Sequence, residues 1–287
     1  MAEALLPELP DPERYHRGNV AVCVNPDYDG PVELDDLFAL PSLLESTPGI
    51  STRQPARTTC WQWCPPWHAG PGLLVRQYAH GGALGGILGT VFPGSARMVH
   101  ELRVAAYARR MDVPTARPVA VRLERVFGPF VRAHYVTENV YGTADLLGLC
   151  ASLGAERPGP ARRRRLTGRI AAAVSSMHDA GILHADLNLK NVLVRDAFDE
   201  PEVFIIDFDK ARLVPGLSLR QRMSNLLRLD RSVVKWQASR RTVTIGDRLR
   251  VVLSYLARYP DLRVKRGRIV RRYARRHLLH WFSRERA

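Results

Sequence analysis

The alternation of hydrophobic and polar residues predicts strands and a helix in the first half of the chain. Residues 72–78 are mostly apolar and predict a strand. Ser95 can cap a helix that runs from Ala96 to about Arg110 and carries an apolar stripe along one face. Two further strand-like runs span Pro118–Val126 and Pro129–Glu138, with a Phe-Gly turn between them.

The pattern changes to a helical one in the second half. Small and apolar residues from Leu166 to Ala180 predict a helix that Gly181 closes. Short apolar runs follow between turns, and the residues from Pro215 onward are typical of basic helices. The runs are 182–183, 191–194 and 203–206.

Residues 1–50 are rich in Pro and Asp and show little periodicity. We expect an N-terminal extension that is partly ordered by short helical stretches such as Leu34–Leu44. The chain as a whole shows no internal repeat. The sequence therefore predicts an α+β fold, with a small mixed α/β part followed by a larger, mainly helical part.

Composition excludes several classes of protein. Hydrophobic residues make up 46% of the 287 residues, and the mean hydropathy is −0.18, so a core can form and wholesale disorder is not expected. No apolar run approaches the ~20 residues of a membrane-spanning helix, and the acidic N-terminus lacks the apolar segment of a signal peptide. The four cysteines are too few for a disulfide framework and indicate a reducing compartment.

The charge is unevenly distributed along the chain. Residues 1–100 contain 6 basic and 10 acidic side chains, whereas residues 101–287 contain 37 basic and 18 acidic ones. Such a basic surface favours a polyanionic partner, such as nucleic acid, anionic lipid or a phosphorylated substrate.

Asp186, Asn191 and Asp207 form the pattern with the clearest chemistry. An Asp and an Asn lie five residues apart on a predicted loop, and another Asp follows an apolar run. Magnesium binds carboxylate, amide and phosphate oxygens, and phosphoryl transfer needs this metal together with a carboxylate base. We expect Asp186 to be the base, and Asn191 and Asp207 to bind Mg2+. The alternative is a polar loop followed by an ordinary turn aspartate.

The segments around these residues resemble the protein-kinase-like superfamily. Residues 184–191 read H-A-D-L-N-L-K-N where protein kinases carry H-R-D-x-x-x-x-N, and residues 207–209 read D-F-D in place of D-F-G. Together with V-R-Q-Y-A-H-G-G at 75–82 and N-L-L-R-L-D-R-S at 225–232, they resemble the lipopolysaccharide core kinases, especially 3-deoxy-D-manno-octulosonic acid (Kdo) kinases. The resemblance covers roughly residues 70–240.

This resemblance implies a bilobal protein-kinase-like fold with its active site in the cleft between the lobes. The N-lobe is the small mixed α/β part, and the C-lobe is the larger, mainly helical part. The predicted domains are an extension (1–50), the N-lobe (51–139) and the C-lobe with its basic helical tail (140–287).

The resemblance also implies a role for each residue of the catalytic loop. Asp186 is the catalytic base, and His184 braces the loop near the metal-binding turn. Asn188 occupies the position where protein kinases often carry a lysine that faces the transferred phosphate. Charge neutralisation then depends on Mg2+ and on Lys190 or Lys210, with ATP as the phosphate donor.

Arg76 and Glu101 are the predicted binding residues for the ATP phosphates. No lysine precedes residue 190, so the cation must be an arginine, and Arg76 is the basic residue on the predicted strand. Arginine can bind phosphate in bidentate fashion, and Glu101 on the next helix would orient it. The alternatives are an exposed strand arginine and a solvated helix glutamate. The usual G-x-G-x-x-G loop is missing before this strand, and Gly81–Gly86 is more typical of a turn or a substrate-side loop.

A second possible metal site, with weaker support from the sequence, lies at a cysteine cluster. Cys60, Cys64 and His68 could supply three ligands of a metal site, but a fourth ligand is lacking, so we interpret them as packing residues.

The C-terminal tail predicts contact with an anionic membrane. Residues 262–287 contain many arginines, one acidic residue and several aromatic or aliphatic residues, which is typical of a helix on an anionic surface. The alternative is a solvated helix whose apolar side packs on the large lobe. The implied substrate, a Kdo-bearing lipid A precursor, is itself an anionic glycolipid, and we expect a peripheral location at the cytoplasmic face of the bacterial inner membrane. No nucleic-acid-binding motif accompanies the charge, so nucleic acid is not an expected partner.

Two other functions stay open. One is a heptose kinase or another small-molecule kinase of the same superfamily. The other is a catalytically inactive adaptor that binds nucleotide or anionic lipid; the missing glycine loop favours it, and the intact Asp186, Asn191 and Asp207 oppose it.

Overall fold

The computed structural model describes residues 8–46, 51–53, 59–68, 70, 72–80, 89–152, 158–197, 199–236 and 242–282. The chain forms two compact units. One comprises residues 8–110 and 116–141, and the other comprises residues 111–115 and the chain from residue 142 onward. The domain boundaries and the bilobal arrangement stay predictions.

The first unit is an antiparallel sheet with helices on both faces. Its elements in chain order are β1 (Glu13–Arg17), β2 (Val20–Val24), α1 (Leu34–Phe38), α2 (Leu40–Ser46), β3 (Ser51–Arg53), β4 (Cys60–Trp63), β5 (Leu73–Gln77), β6 (Val91–Pro93), α3 (Ala96–Arg110), β7 (Pro118–Phe127) and β8 (Phe130–Glu138).

The sheet of the first unit has the strand order β1-β2-β7-β8-β5-β4-β3, and β6 pairs with β8. Side chains alternate across a strand, so the two faces pack against different helices. Val22 and Val24 belong to a buried cluster with the apolar residues of α1 and α2, whereas Tyr78 and Tyr135 belong to a cluster with those of α3. Arg76 lies two residues before Tyr78 and therefore shares the α3 face.

The second unit is mainly helical. Its elements in chain order are β9 (Thr143–Asp145), α4 (Leu146–Ser152), α5 (Pro160–Asp179), β10 (Ile182–Leu183), a 3-10 helix (Leu189–Asn191), β11 (Val192–Arg195), β12 (Glu202–Ile205), β13 (Arg212–Leu213), α6 (Leu219–Trp236), α7 (Ile245–Ala257), α8 (Pro260–Val264) and α9 (Arg266–Phe282). Strand β11 pairs with both β9 and β12, and β10 pairs with β13. In the described part of the chain, no helix is long and apolar enough to cross a bilayer.

Most of the predicted elements are confirmed. The helix at 96–110 has the predicted bounds, the strands at 72–78, 118–126 and 129–138 are present within a few residues, and the helical stretches at 34–44 form α1 and α2. The predicted mixture of strands and helices is therefore correct. The Gly81–Gly86 segment lies outside the described residues.

The predicted start of the helix at Leu166 is wrong. Helix α5 begins six residues earlier, at Pro160, which occupies its first turn. Proline is favoured there because the first N–H groups of a helix have no partner in the helix. The four arginines of 162–165 therefore lie inside the helix and not before it, as expected for a residue with high helix propensity.

Residues 1–50 contain strands that the sequence did not predict. Strands β1 and β2 form a hairpin, and β2 extends the sheet by pairing with β7. The side chains of β1 are exposed along its whole length. An edge strand with no buried face gives no period-two hydrophobic pattern, so periodicity could not detect it.

Candidate active site

His184 fixes the loop that carries the predicted catalytic residues. Its ring is buried, with 1% of its surface exposed. The backbone N–H of Asp186 donates to Nδ1 of His184 (3.1 Å), so Nε2 carries the proton and donates to the carbonyl of Ile206 (3.1 Å). Burial lowers the pKa of His184, which favours this neutral form. The ring thus ties the loop to the residue that precedes Asp207.

The backbone of Asp186 is held in place while its side chain is exposed. Its carbonyl accepts hydrogen bonds from the side-chain amides of Asn191 (2.8 Å) and Asn188 (3.1 Å). A carboxylate on a fixed backbone can meet a reacting hydroxyl without reorganisation of the loop, which is what a general base requires.

Asn191 and Asp207 lie at the same end of the antiparallel pair β11–β12. The N–H of Ile206 donates to the backbone carbonyl of Asn191 (3.0 Å). Because Asp207 follows Ile206 directly in the sequence, this bond brings Asp207 close to Asn191. The side-chain nitrogen of Asn191 donates to Asp186, so the amide oxygen is the atom that a cation would meet. The structure therefore brings Asp186, Asn191 and Asp207 together within one unit, through the side-chain bond of Asn191 to the Asp186 carbonyl and the backbone bond between Ile206 and Asn191.

The donor atoms of Asn191 and Asp207 fit Mg2+. Amide and carboxylate oxygens are hard ligands, and Mg2+ commonly takes one or two of them and completes its shell with water and phosphate oxygens. The backbone of Asp207 has a φ of 70°, a left-handed conformation that is uncommon outside glycine and is enriched at functional sites. Among the described residues, no group of three or more His, Cys, Asp and Glu side chains is placed to hold a metal.

Asn188 and Lys190 differ in how the loop uses them. The Asn188 side chain accepts a hydrogen bond from the N–H of Lys190 (2.8 Å) and caps the 3-10 helix, while its nitrogen donates to Asp186. Both ends of the Asn188 amide are therefore engaged within the loop. The Lys190 side chain is exposed. The predicted contacts of these residues with phosphate stay predictions.

Helix α6 holds the loop through residues whose role the sequence did not reveal. Asn225 accepts a hydrogen bond from the N–H of His184 (3.1 Å) and donates to the carbonyl of the same residue (2.8 Å). Ser232 accepts a hydrogen bond from the N–H of Leu189 (3.2 Å). The available signal was a polar asparagine directly before two leucines of the helix, because a buried polar group needs partners.

In the first unit, Arg76 and Glu101 form an ion pair. Nη2 of Arg76 lies 2.5 Å from Oε1 of Glu101, and Glu101 is buried at 2% exposure while Arg76 is a quarter exposed. Tyr78 donates a hydrogen bond from its hydroxyl to the second carboxylate oxygen of Glu101. The guanidinium also lies over the rings of Tyr78 (4.8 Å) and Tyr135 (5.5 Å). Glu101 thus has a donor on each oxygen. The binding of ATP phosphates by Arg76 stays a prediction.

Tyr78 is the third member of this cluster, and its removal tests how the cluster is held. Burial raises the pKa of Tyr78 well above its usual value, so the hydroxyl keeps its proton and acts as a donor. Tyr78→Phe should lower the free energy of unfolding by about 1.5–3 kcal/mol, because a buried carboxylate loses a hydrogen bond. Chemical denaturation of both proteins measures this difference.

Tyr15→Phe is the matched control for Tyr78→Phe. The Tyr15 hydroxyl also donates to a glutamate, Glu13, but at the surface (2.7 Å). Surface substitutions of this kind usually change stability by less than about 0.5 kcal/mol. Equal losses in the two variants would contradict the role given to Tyr78.

Cys60 begins strand β4, and Cys64 and His68 follow that strand. Cys60 is buried and Cys64 is exposed, and neither forms a disulfide among the described residues. Nδ1 of His68 lies 3.3 Å from the hydroxyl of Tyr28. Their interpretation as packing residues stays a prediction.

The sequence is similar to known kinases. A profile described as "Lipopolysaccharide kinase (Kdo/WaaP) family" matches residues 76–252. The 3-deoxy-D-manno-octulosonic acid kinase of Photobacterium damsela subsp. piscicida is 31% identical over 172 residues, which is 58% of this chain and 67% of that protein. The protein of the same name from Vibrio cholerae serotype O1 is 33% identical over 165 residues, 56% of this chain and 65% of that protein. The matches thus span about two thirds of each relative.

The fold is similar to that of a solved structure titled "WaaP in complex with acyl carrier protein". The match covers 89% of this chain and 96% of that one, with a TM-score of 0.56 and 22% sequence identity. At this identity, the likeness establishes a shared fold.

Proposed function

Because this chain belongs to the lipopolysaccharide kinase (Kdo/WaaP) family and is a phosphotransferase with a sugar hydroxyl as acceptor, we propose that it transfers the γ-phosphate of ATP to the 4-hydroxyl of Kdo on a lipid A precursor. The observation that carries the proposal is the loop around Asp186. Its exposed carboxylate stands on a backbone that His184, Asn188 and Asn191 hold.

Asp186 acts as the general base in this proposal. Its carboxylate accepts the proton of the sugar hydroxyl as the hydroxyl oxygen bonds to the γ-phosphorus, and ADP leaves with the bridging oxygen. The fixed backbone keeps the carboxylate in position, so little entropy is lost when the hydroxyl arrives. His184 contributes as a buried, neutral brace and does not itself exchange a proton with the substrate.

Asn191 and Asp207 would hold Mg2+ through their amide and carboxylate oxygens, where the ion would neutralise charge on the phosphates. Arg76 would bind the phosphates of ATP with its guanidinium, while Glu101 and Tyr78 keep it oriented. Lys190 is exposed and would add a second positive charge that neutralises the phosphates.

A competition between acceptors tests the proposed substrate. Purified protein receives ATP, Mg2+ and either a Kdo-bearing lipid A precursor or a heptose-bearing core acceptor, and mass spectrometry locates the added phosphate. We expect a kcat/KM for the Kdo acceptor at least about tenfold higher, since a site built to hydrogen-bond one sugar rejects another. Preferred transfer to heptose would contradict Kdo as the acceptor and would support phosphoryl transfer to a sugar. Absence of transfer to either acceptor would contradict a kinase that acts on Kdo or heptose.

We further propose a peripheral location at the cytoplasmic face of the bacterial inner membrane, with helix α9 against anionic lipid. Ile269 and Tyr273 of this helix are buried, so its apolar side packs on its own unit. Five arginines of α9 are exposed and would meet lipid headgroups: Arg266, Arg268, Arg271, Arg272 and Arg275. The arginines at 284 and 286 of the predicted tail lie outside the described residues.

Neutralising part of this arginine face should weaken membrane binding. A variant with Arg268, Arg272 and Arg275 changed to Gln should bind vesicles containing phosphatidylglycerol about a hundredfold more weakly, since each basic residue contributes about 1 kcal/mol. Co-sedimentation measures the binding. The control removes the same charge elsewhere, at the exposed residues Arg14, Arg109 and Arg125. Equal weakening in the two variants would show that net charge, not helix α9, determines binding.

A further inference from the structure

A buried series of hydrogen bonds connects helix α7 to the catalytic loop. Nη1 of Arg222 lies 3.1 Å from the hydroxyl of Tyr255, and that hydroxyl lies 2.8 Å from Nδ1 of His178. Nε2 of His178 lies 3.1 Å from Oδ1 of Asn225, which in turn binds the backbone of His184. Tyr255, His178, Asn225 and His184 are each at most 3% exposed.

The contacts of Asn225 and Arg222, at the two ends of this series, determine which atom donates and which accepts in each hydrogen bond. Asn225 uses its nitrogen on the carbonyl of His184, so its oxygen is an acceptor, and His178 must donate from Nε2. Nδ1 of His178 is then an acceptor and receives the proton of the Tyr255 hydroxyl. The oxygen of that hydroxyl accepts from Arg222, which has no acceptor atom of its own.

The surroundings of His178 favour the neutral ring that this series needs. Burial lowers the pKa of His178 to about 4. The charge of Arg222 also lowers the pKa of His178, whereas Asp179 acts in the opposite sense and forms an ion pair with Arg222 (2.9 Å).

We propose that Tyr255 and Arg222 are positioning residues for the catalytic loop, acting through His178 and Asn225 on the backbone of His184 and so on Asp186. The inference rests on the proposed function for its effect on turnover. None of the four residues needs to touch the substrate; they set the orientation of the peptide from which the base projects.

Loss of the Tyr255 hydroxyl should disturb His178 first and then Asn225. Nδ1 of His178 would become a buried acceptor without a donor, which is costly. The ring can restore a hydrogen bond elsewhere only by moving or by changing tautomer, and an unprotonated Nε2 would face the oxygen of Asn225. The Asn225 amide would then rotate and lose its paired contacts with His184.

Tyr255→Phe, with Tyr259→Phe as the matched control, tests this inference. The Tyr259 hydroxyl also accepts from Arg222 (2.7 Å), donates to Asp179 (2.8 Å) and interacts with the Tyr255 hydroxyl, but the described residues show no contact between it and His178. Both variants therefore lose a hydrogen bond near Arg222, and only Tyr255→Phe interrupts the series.

Amide hydrogen exchange at His184 and Asp186, together with steady-state kinetics, provides the readouts. We expect Tyr255→Phe to accelerate exchange at both amides and to lower kcat on the order of tenfold with little change in KM, because misplacement of a reacting group acts on the chemical step. Tyr259→Phe should leave exchange and kcat near the wild-type values. Equal exchange in the two variants, or unchanged exchange in Tyr255→Phe, overturns the inference even if the wild-type protein transfers no phosphate and the proposed function fails.

If Tyr255→Phe does not fold, a second pair of variants tests the link between His178 and Asn225. His178→Gln retains a side-chain N–H that can donate to Asn225, whereas His178→Leu has a similar volume and no donor. Protection of the His184 and Asp186 amides should persist in the glutamine variant and fall in the leucine variant. Equal protection in both variants would contradict the proposed series.

Discussion

Asp186→Asn should lower kcat by about 10²–10⁴-fold, because the substitution removes the carboxylate that accepts the proton of the sugar hydroxyl. The fold should be unaffected. The structure gives Asp186 hydrogen bonds through its backbone N–H and carbonyl, and its side chain is exposed. Steady-state kinetics with the Kdo acceptor and thermal unfolding of the same samples measure the two effects separately.

Asp112→Asn is the control for this first prediction. Asp112 is an exposed aspartate of the same unit, and it has no part in the loop. Its substitution should leave kcat within about twofold of the wild-type value, as expected for a surface change. A kcat near the wild-type value in Asp186→Asn would mean that another group removes the proton.

Asp207→Asn should lower turnover at least about a hundredfold and raise the Mg2+ concentration needed for half-maximal rate. The amide that replaces the carboxylate is neutral and binds Mg2+ less strongly, and a bound metal contributes several kcal/mol of transition-state stabilisation. Asparagine tolerates the left-handed backbone found at Asp207, so the loop should keep its conformation. A titration of rate against Mg2+ measures both effects.

Asp196→Asn provides a control with the same residue type and a similar backbone. Asp196 is exposed and has a φ of 45° in the turn between β11 and β12. Its substitution should change neither the rate nor the Mg2+ requirement. An Asp207→Asn variant with the wild-type Mg2+ requirement would exclude Asp207 as a metal ligand.

The sequence predicted those parts of the fold whose signal is local. The sequence of the helix at 96–110 offers a capping serine before it and an apolar stripe along it, and its bounds were predicted correctly. The hairpin β1–β2 was not predicted, because β1 is exposed along its whole length and β2 is apolar at every position, so neither strand shows period-two alternation.

The candidate site likewise contains residues that the sequence predicted and supporting residues that it did not. The spacing of the loop and the strand after it led to the prediction of Asp186, Asn191 and Asp207; hydrogen bonds in the structure bring the three residues together, and their roles stay predictions. The supporting contacts of Tyr78 and Asn225 were not predicted, since each depends on a partner distant in sequence: Glu101 lies 23 residues from Tyr78, and His184 lies 41 residues from Asn225. Spacing identifies a motif, whereas long-range contacts require the fold.

A single-turnover measurement of phosphate transfer tests whether the Asp186 carboxylate is the general base. Wild-type protein and Asp186→Asn are saturated with ATP and Mg2+, their nucleotide affinities are determined by calorimetry, and the Kdo acceptor is added in a rapid-quench experiment. We expect similar nucleotide affinity in both proteins and transfer to the acceptor in the wild type alone on the time scale of turnover. Transfer by Asp186→Asn at the wild-type rate would contradict this role.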